Sequence, residues 1–146
     1  MPFYAFLMFA CAAPAPEPAA APAPAPVQPH SVHEVPADFP EDVPLYPDAT
    51  DLLVATLSDP DLAGYMLMME TTDAPAEALA RYKAEVSTEA FPERIQTPAI
   101  NGLSGVSFYS ADRGRKLLFS VSADPAEPAR TRITLTIRAG AAGHFQ

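Results

Sequence analysis

Residues 130–138, Arg-Thr-Arg-Ile-Thr-Leu-Thr-Ile-Arg, carry the clearest secondary-structure pattern of the chain. Apolar and polar residues alternate along it, with Ile133, Leu135 and Ile137 on one side and Arg132, Thr134, Thr136 and Arg138 on the other. Successive side chains of a β-strand point to opposite faces, so the pattern predicts a strand with one face in a core and one in solvent. Strands of this kind are typical of antiparallel sheets.

Four earlier segments are predicted to be strands of the same sheet: residues 51–58, 64–72, 106–110 and 116–122. The turn Asp59-Pro60-Asp61 joins the first pair, and Asp112-Arg113-Gly114 joins the second. Each pair is therefore predicted to form a hairpin. A turn at residues 124–128 then leads into the strand at residues 130–138.

One helix is predicted between the two hairpins, over residues 74–89. The residues that recur at helical spacing are Leu79, Tyr82 and Val86. Asp73 is typical of an N-cap, and Phe91-Pro92 ends the pattern because proline cannot continue a helix.

Residues 94–97 and a loop containing Asn101-Gly102 connect this helix to the second hairpin. We therefore predict an α+β domain over residues 39–138, with a flexible tail at residues 139–146. Its antiparallel sheet has about five strands, in the order β-β-α-β-β-β, and the helix packs on one face of the sheet.

Two local strings carry a resemblance to a known class of domain. They are Pro44-Leu45-Tyr46-Pro47-Asp48-Ala49 and Asp73-Ala74-Pro75-Ala76-Glu77, the second running on to Tyr82-Lys83. The chain resembles small bacterial lipoprotein domains that open with Pro-x-Tyr-Pro and carry a hairpin before such a helix. It departs from them at Ala90-Phe91, where Gly-Trp is usual. The resemblance implies this fold and an envelope location, and it implies no activity.

The N-terminal residues indicate a subcellular location. Residues 1–10 are uncharged but too few to span a bilayer, and Met8-Phe9-Ala10-Cys11 resembles the lipobox of bacterial lipoproteins. This predicts a leader at residues 1–11, lipidation of Cys11 and attachment to an envelope membrane. A basic beginning is missing, which a start upstream of Met1 explains. Two alternatives for these residues stay open: cleavage after Ala12 with soluble export, and an apolar tail without a targeting role.

Proline and alanine dominate the next segment, residues 12–38, where prolines are too frequent for a helix or a core. We predict a disordered tether there, able to reach on the order of 80 Å when extended.

Charge argues against nucleic acid as a partner. The net charge is −9, and no Lys or Arg precedes Arg81. Phosphate binding needs clustered cations, so we expect none. The single cysteine forms no intrachain disulfide.

No catalytic, metal or cofactor site is predicted. The three histidines, His30, His33 and His144, lie outside the predicted elements, so none is positioned as a catalytic base. His30 and His33 with Glu34 make an incomplete zinc set, and Asp59 and Asp61 lack the spacing of a calcium loop. Gly102-x-x-Gly105 lacks the Lys-Ser/Thr of a phosphate loop and indicates a loop with special backbone angles.

Two surface features leave alternatives open. Met66 and Met68 face away from the predicted core, where they form a soft partner or lipid surface unless a loop or the proline-rich entry covers them. Arg130, Arg132 and Arg138 form an outer row that either contacts an anionic partner or is simply solvated. We therefore expect a non-catalytic accessory or interaction module, with an envelope protein as a possible partner. The alternatives are a small-ligand or lipid-binding module using the sheet face opposite the helix and, more remotely, an enzyme with paired acids.

Overall fold

The computed structural model describes residues 34–146 and contains, over those residues, one antiparallel sheet and one helix. The elements are β1 (Thr50–Asp59), β2 (Leu62–Thr71), α1 (Pro75–Glu85), β3 (Glu93–Ile100), β4 (Leu103–Tyr109), β5 (Arg115–Ala123) and β6 (Thr131–Ala139). The order across the sheet is β1-β2-β6-β5-β4-β3. The α+β class, the antiparallel sheet and the single helix are confirmed.

The sheet has six strands, so the prediction of about five was wrong. The additional strand is β3, which forms an edge of the sheet and pairs with β4. Asn101 and Gly102 close this hairpin with φ angles of 51° and 80°. The strand contains Pro98, a residue that argues against a strand in a sequence. An edge strand accommodates this proline because it removes no ladder hydrogen bond there. Gly105 lies inside β4, so the prediction of special backbone angles holds for Gly102 alone.

Helix α1 is shorter than predicted and begins differently. It covers Pro75–Glu85, and Ala74 occupies the N-cap position that Asp73 was expected to take. The carboxylate of Asp73 instead accepts hydrogen bonds from Tyr46 and Arg81, so it is not available to the helix N-terminus. The Glu77 carboxylate accepts a hydrogen bond from the Ala74 backbone N–H at 3.4 Å.

The core lies between α1 and the sheet, over β4 and β5. Phe119 of β5 is fully buried, and its ring centroid lies 4.0 Å from that of Tyr82 and 6.1 Å from that of Tyr46. The inward residues predicted for β5 and β6 are all buried: Leu117, Phe119, Val121, Ile133, Leu135 and Ile137. The alternation that predicted the fold therefore separates core from solvent as expected.

The segment before β1 closes the core beside the helix. The Tyr46 hydroxyl donates to Asp73, and the Tyr82 hydroxyl donates to the Pro44 carbonyl at 2.9 Å. Arg115 of β5 holds the same segment through two hydrogen bonds to the Asp42 carboxylate, at 2.7 and 2.8 Å. The two strings behind the resemblance thus contact each other, and their role in this structure is to pack the fold.

The segment after β6 lies against the turn between β4 and β5. Backbone N–H groups of Gly140, Gly143 and Phe145 donate to carbonyls of that turn at 2.7–3.1 Å. The flexibility expected for this tail stays a prediction. The leader with Cys11, His30, His33 and most of the predicted tether lie outside the described residues. Helix α1 is too short to cross a membrane, and the part of the chain from residue 34 onward contains no other candidate.

A candidate binding groove on the open sheet face

The sheet face opposite α1 carries apolar side chains in its β1, β2 and β5 strands, although it is open to solvent. Strand register defines the rows of this face, which we call the open face. One row contains Ala55, Met66, Thr136, Leu118, Ser107 and Ile95, and the next contains Leu57, Gly64, Arg138, Lys116, Tyr109 and Glu93. Members of a row stand side by side because directly paired residues share a face.

These two rows hold a groove of about 440 Å³. Its apolar lining comes from Leu57, Met66, Leu118 and Phe145, and its polar lining comes from Lys116, Thr136 and Arg138. The depression falls where short residues interrupt longer ones. Gly64 has no side chain between Leu57 and Arg138, and Ala55 stands beside Met66.

The C-terminal segment supplies one wall of the groove. Phe145 lies against the open face, and its backbone N–H donates to the Arg113 carbonyl at 3.1 Å. The Arg113 guanidinium returns a hydrogen bond to the Phe145 carbonyl at 3.1 Å and pairs with Glu93. Residue 145 is thereby placed by the β4–β5 turn.

The polar end of the groove carries two cations in direct opposition. Lys116 and Arg138 are paired across β5 and β6, and both lie on the open face. Like charges directly opposite each other destabilise a sheet unless an anion offsets them. Asp59 forms an ion pair with Arg138, whereas Lys116 has no carboxylate within 4.0 Å among residues 34–146. The Lys116 Nζ lies 5.5 Å from the centroid of the Tyr109 ring.

Arg138 keeps one unused donor. Its Nε is buried and has no hydrogen-bond partner within the described residues, while its Nη2 contacts Asp59. A buried donor without an acceptor costs about 1–3 kcal/mol. The groove end therefore has one unbalanced positive charge and one unsatisfied N–H group.

The other outward arginines are compensated. Arg130 pairs with Glu70 at 2.9 Å and with Glu127 at 2.7 Å, and Arg132 pairs with Asp124 at 2.8 Å. The outer arginine row is therefore balanced at each position by a carboxylate of this chain.

The methionine pair lies on the open face, as the alternation predicted. Met66 and Met68 are half-buried there, and Met69 is buried in the core. From residue 34 onward, the proline-rich entry does not cover the pair. Its Phe39 packs against Tyr65 on the helix side, with ring centroids 5.7 Å apart. Part of the covering comes from the C-terminal Phe145, which shares the groove with Met66.

A second apolar area continues from the groove toward the β3–β4 hairpin. A depression of about 220 Å³ is lined by Ile100, Leu103 and Leu118, and Leu118 also lines the groove. The exposed fractions of Ile95, Ile100 and Leu103 are 48%, 62% and 52%. Together with the groove they form an apolar band across the open face.

His144 lies in the C-terminal segment, where its ring packs edge-on against Phe145, 5.0 Å away, rather than beside a nucleophile. No three His, Cys, Asp or Glu side chains come together as a metal site among residues 34–146. Asp59, one of the turn acids considered for calcium, is engaged with Arg138.

The comparisons with known proteins give no neighbour for this chain: no protein-family model, curated protein sequence or solved structure matches it.

Proposed function

We propose that this chain is a non-catalytic binding module held at a bacterial membrane, and that the groove on the open face is its binding surface. The observation that carries the proposal is the apolar lining of Leu57, Met66 and Leu118. The core on the other face does not need these side chains. An antiparallel sheet with one solvent face normally presents polar residues there, so an apolar groove on that face is typical of recognition.

The size and composition of the groove support a small ligand. Small-molecule sites measure about 300–1,000 Å³ and combine mostly apolar walls with a few polar groups that orient the ligand. The groove has a volume of about 440 Å³, and its polar groups are confined to Lys116, Thr136 and Arg138.

The envelope location rests on the sequence. A lipidated Cys11 would fix the chain to a membrane, and the tether at residues 12–38 would hold the domain on the order of 80 Å away when extended. A module on such a spacer meets ligands or partners outside the bilayer.

A second candidate is docking to an envelope protein, and the β3–β4 hairpin favours it. Strand β3 is an edge of the sheet and has unpaired backbone groups along one side. Ile95, Ile100 and Leu103 are the large exposed apolar side chains next to that edge. An extended segment of a partner would add to β3 as a further strand.

The binding proposal is tested with Nile red, a neutral fluorescent probe of apolar sites. We expect the wild-type domain to bind it and Leu118→Glu to abolish binding, because the new carboxylate would lie in the groove. Leu45→Glu is the matched control, since Leu45 is an exposed leucine of the entry segment. Met66→Gln provides a second groove variant, and circular dichroism checks that each variant folds. Equal binding by all four proteins would contradict the proposal.

The proposed membrane attachment through Cys11 is tested by intact mass spectrometry of the protein expressed in a bacterial host with its natural upstream sequence. A diacylglyceryl or triacylglyceryl mass on Cys11 is the expected result. An unmodified chain starting near Ala13 would indicate soluble export, and an uncleaved chain would refute the envelope location.

A further inference from the structure

We infer that the ligand of the groove is a single-chain amphiphile with one negative charge, such as a fatty-acid anion, whose headgroup lies at Lys116 and Arg138. The inference rests on the proposed function and specifies its ligand. The two requirements of such a ligand, an apolar wall and a local cation, occur together in this groove. The cations lie on β5 and β6, and the apolar side chains of the sheet lie on β1, β2 and β5.

Charge balance is the first argument. Lys116 and Arg138 contribute two positive charges at directly paired positions, and Asp59 offsets one of them. One positive charge remains, on a chain whose net charge is −9. Elsewhere on the open face Arg130 and Arg132 have carboxylate partners, so this surplus is particular to the groove. A monoanion would neutralise it and relieve the opposition of like charges.

Hydrogen-bonding capacity is the second argument. Lys116 has donors without a carboxylate acceptor in the described residues, and the Thr136 hydroxyl lines the same groove. A carboxylate has two oxygens that accept from such donors, and these charge-assisted bonds are stronger than neutral ones. A headgroup without charge would leave the lysine uncompensated.

The direction of the apolar lining is the third argument. From the paired cations the groove continues to Leu118, Met66 and Leu57, and Phe145 lies over one side. A flexible alkyl chain fits such a lining, because methionine and leucine adapt to chains of variable shape. The volume of about 440 Å³ suits one small amphiphile rather than a patch of bilayer.

The test compares three probes of equal chain length below their micelle concentrations: decanoate, 1-decanol and decyltrimethylammonium. Isothermal titration at pH 7–8, where the carboxylate is ionised, is expected to give decanoate about tenfold tighter binding than decanol, with the cation weakest. Lys116→Gln is expected to lower the decanoate affinity to that of decanol. Lys83→Gln is the matched control, because Lys83 lies on α1 and contacts Gln96, away from the groove.

Each outcome decides the inference. Equal affinity for decanoate and decanol, or a Lys116→Gln variant that binds decanoate like the wild type, would overturn the headgroup assignment. If decanol binding were still lost in Leu118→Glu, the proposed function would stand without this ligand class. If the binding of neither decanoate nor decanol depended on Leu118, the inference and the proposed function would both be refuted. Binding to phosphatidylglycerol vesicles that Lys116→Gln abolishes, without binding of free decanoate, would assign the charge to a membrane surface and overturn the inference.

Discussion

Removal of one hydroxyl, in Tyr82→Phe, tests how the entry segment is attached to the core. Tyr82 is fully buried, and its hydroxyl donates to the Pro44 carbonyl at 2.9 Å. Phenylalanine keeps the ring that stacks on Phe119, so the change isolates the hydrogen bond. A hydrogen bond contributes about 0.5–1.5 kcal/mol net, and leaving a buried partner unpaired costs about 1–3 kcal/mol. We expect a loss of about 1–2 kcal/mol in the free energy of unfolding.

Urea unfolding followed by far-ultraviolet circular dichroism measures this loss, and thermal unfolding should show a Tm lower by about 5–15 °C. Hydrogen exchange at the Val43 amide, which donates to the Pro40 carbonyl at 3.2 Å, reports on the entry segment itself and should accelerate. The control is Tyr109→Phe, because that ring lies on the open face against Arg113 and Lys116. A Tyr82→Phe variant as stable as this control would refute the attachment.

Three further perturbations follow from the packing. Burial of the Tyr46 hydroxyl, and then its hydrogen bond to Asp73, raise the pKa of Tyr46 to about 12. The stability that this tyrosine contributes below pH 10 should therefore be lost as the pH rises from 10 to about 12. Tyr46→Phe should weaken this loss when unfolding is measured as a function of pH. Phe119→Ala should cost about 3–5 kcal/mol in urea unfolding, because the ring is fully buried and packs against Tyr46 and Tyr82. A loss below about 1 kcal/mol would contradict the packing. In Gly64→Ala the added Cβ would overlap the Ile137 carbonyl oxygen. In the control Gly102→Ala the added Cβ meets no atom within 4 Å, so the change costs only the strain of φ +80°, about 1–2 kcal/mol. Equal melting temperatures for the two variants would refute the close approach of β2 to β6.

The sheet was largely predictable because its signals are local. Alternation in residues 130–138 and turn residues such as Asp112-Arg113-Gly114 predicted strands, hairpins and the buried face correctly. Strand β3 was missed although it also has a local signal, since Asn-Gly between two extended segments is the strongest short indication of a hairpin. Pro98 interrupts the segment before Asn101-Gly102, and it is compatible with a strand because β3 is an edge.

The groove was only partly predictable because it depends on register. The sequence indicated Met66 and Met68 as outward residues, but it did not connect them with Leu57 or Leu118. Leu57 comes beside Met66 through the register of the β1–β2 hairpin. Leu118 joins them because β2 pairs with β6, the last strand, which no local pattern specifies.

Lys116 and Phe145 were missed for related reasons. From its sequence, Lys116 begins a predicted strand and has no assigned partner, whereas pairing of β5 with β6 sets it opposite Arg138. Phe145 was assigned to a tail, and its position on the open face depends on backbone hydrogen bonds to the distant turn at Arg113. Only the folded chain brings these residues to one site.

Methionine-methyl NMR shows whether the groove on the open face binds the ligand. Met66 lines the groove, whereas Met69, three residues later on the same strand, is buried in the core on the opposite face and serves as an internal control. In a titration of the wild-type protein with decanoate we predict saturable shifts of the Met66 methyl signal and little change at Met69. Shifts at Met69 that equal or exceed those at Met66, or saturation of binding without any change at Met66, would contradict the account.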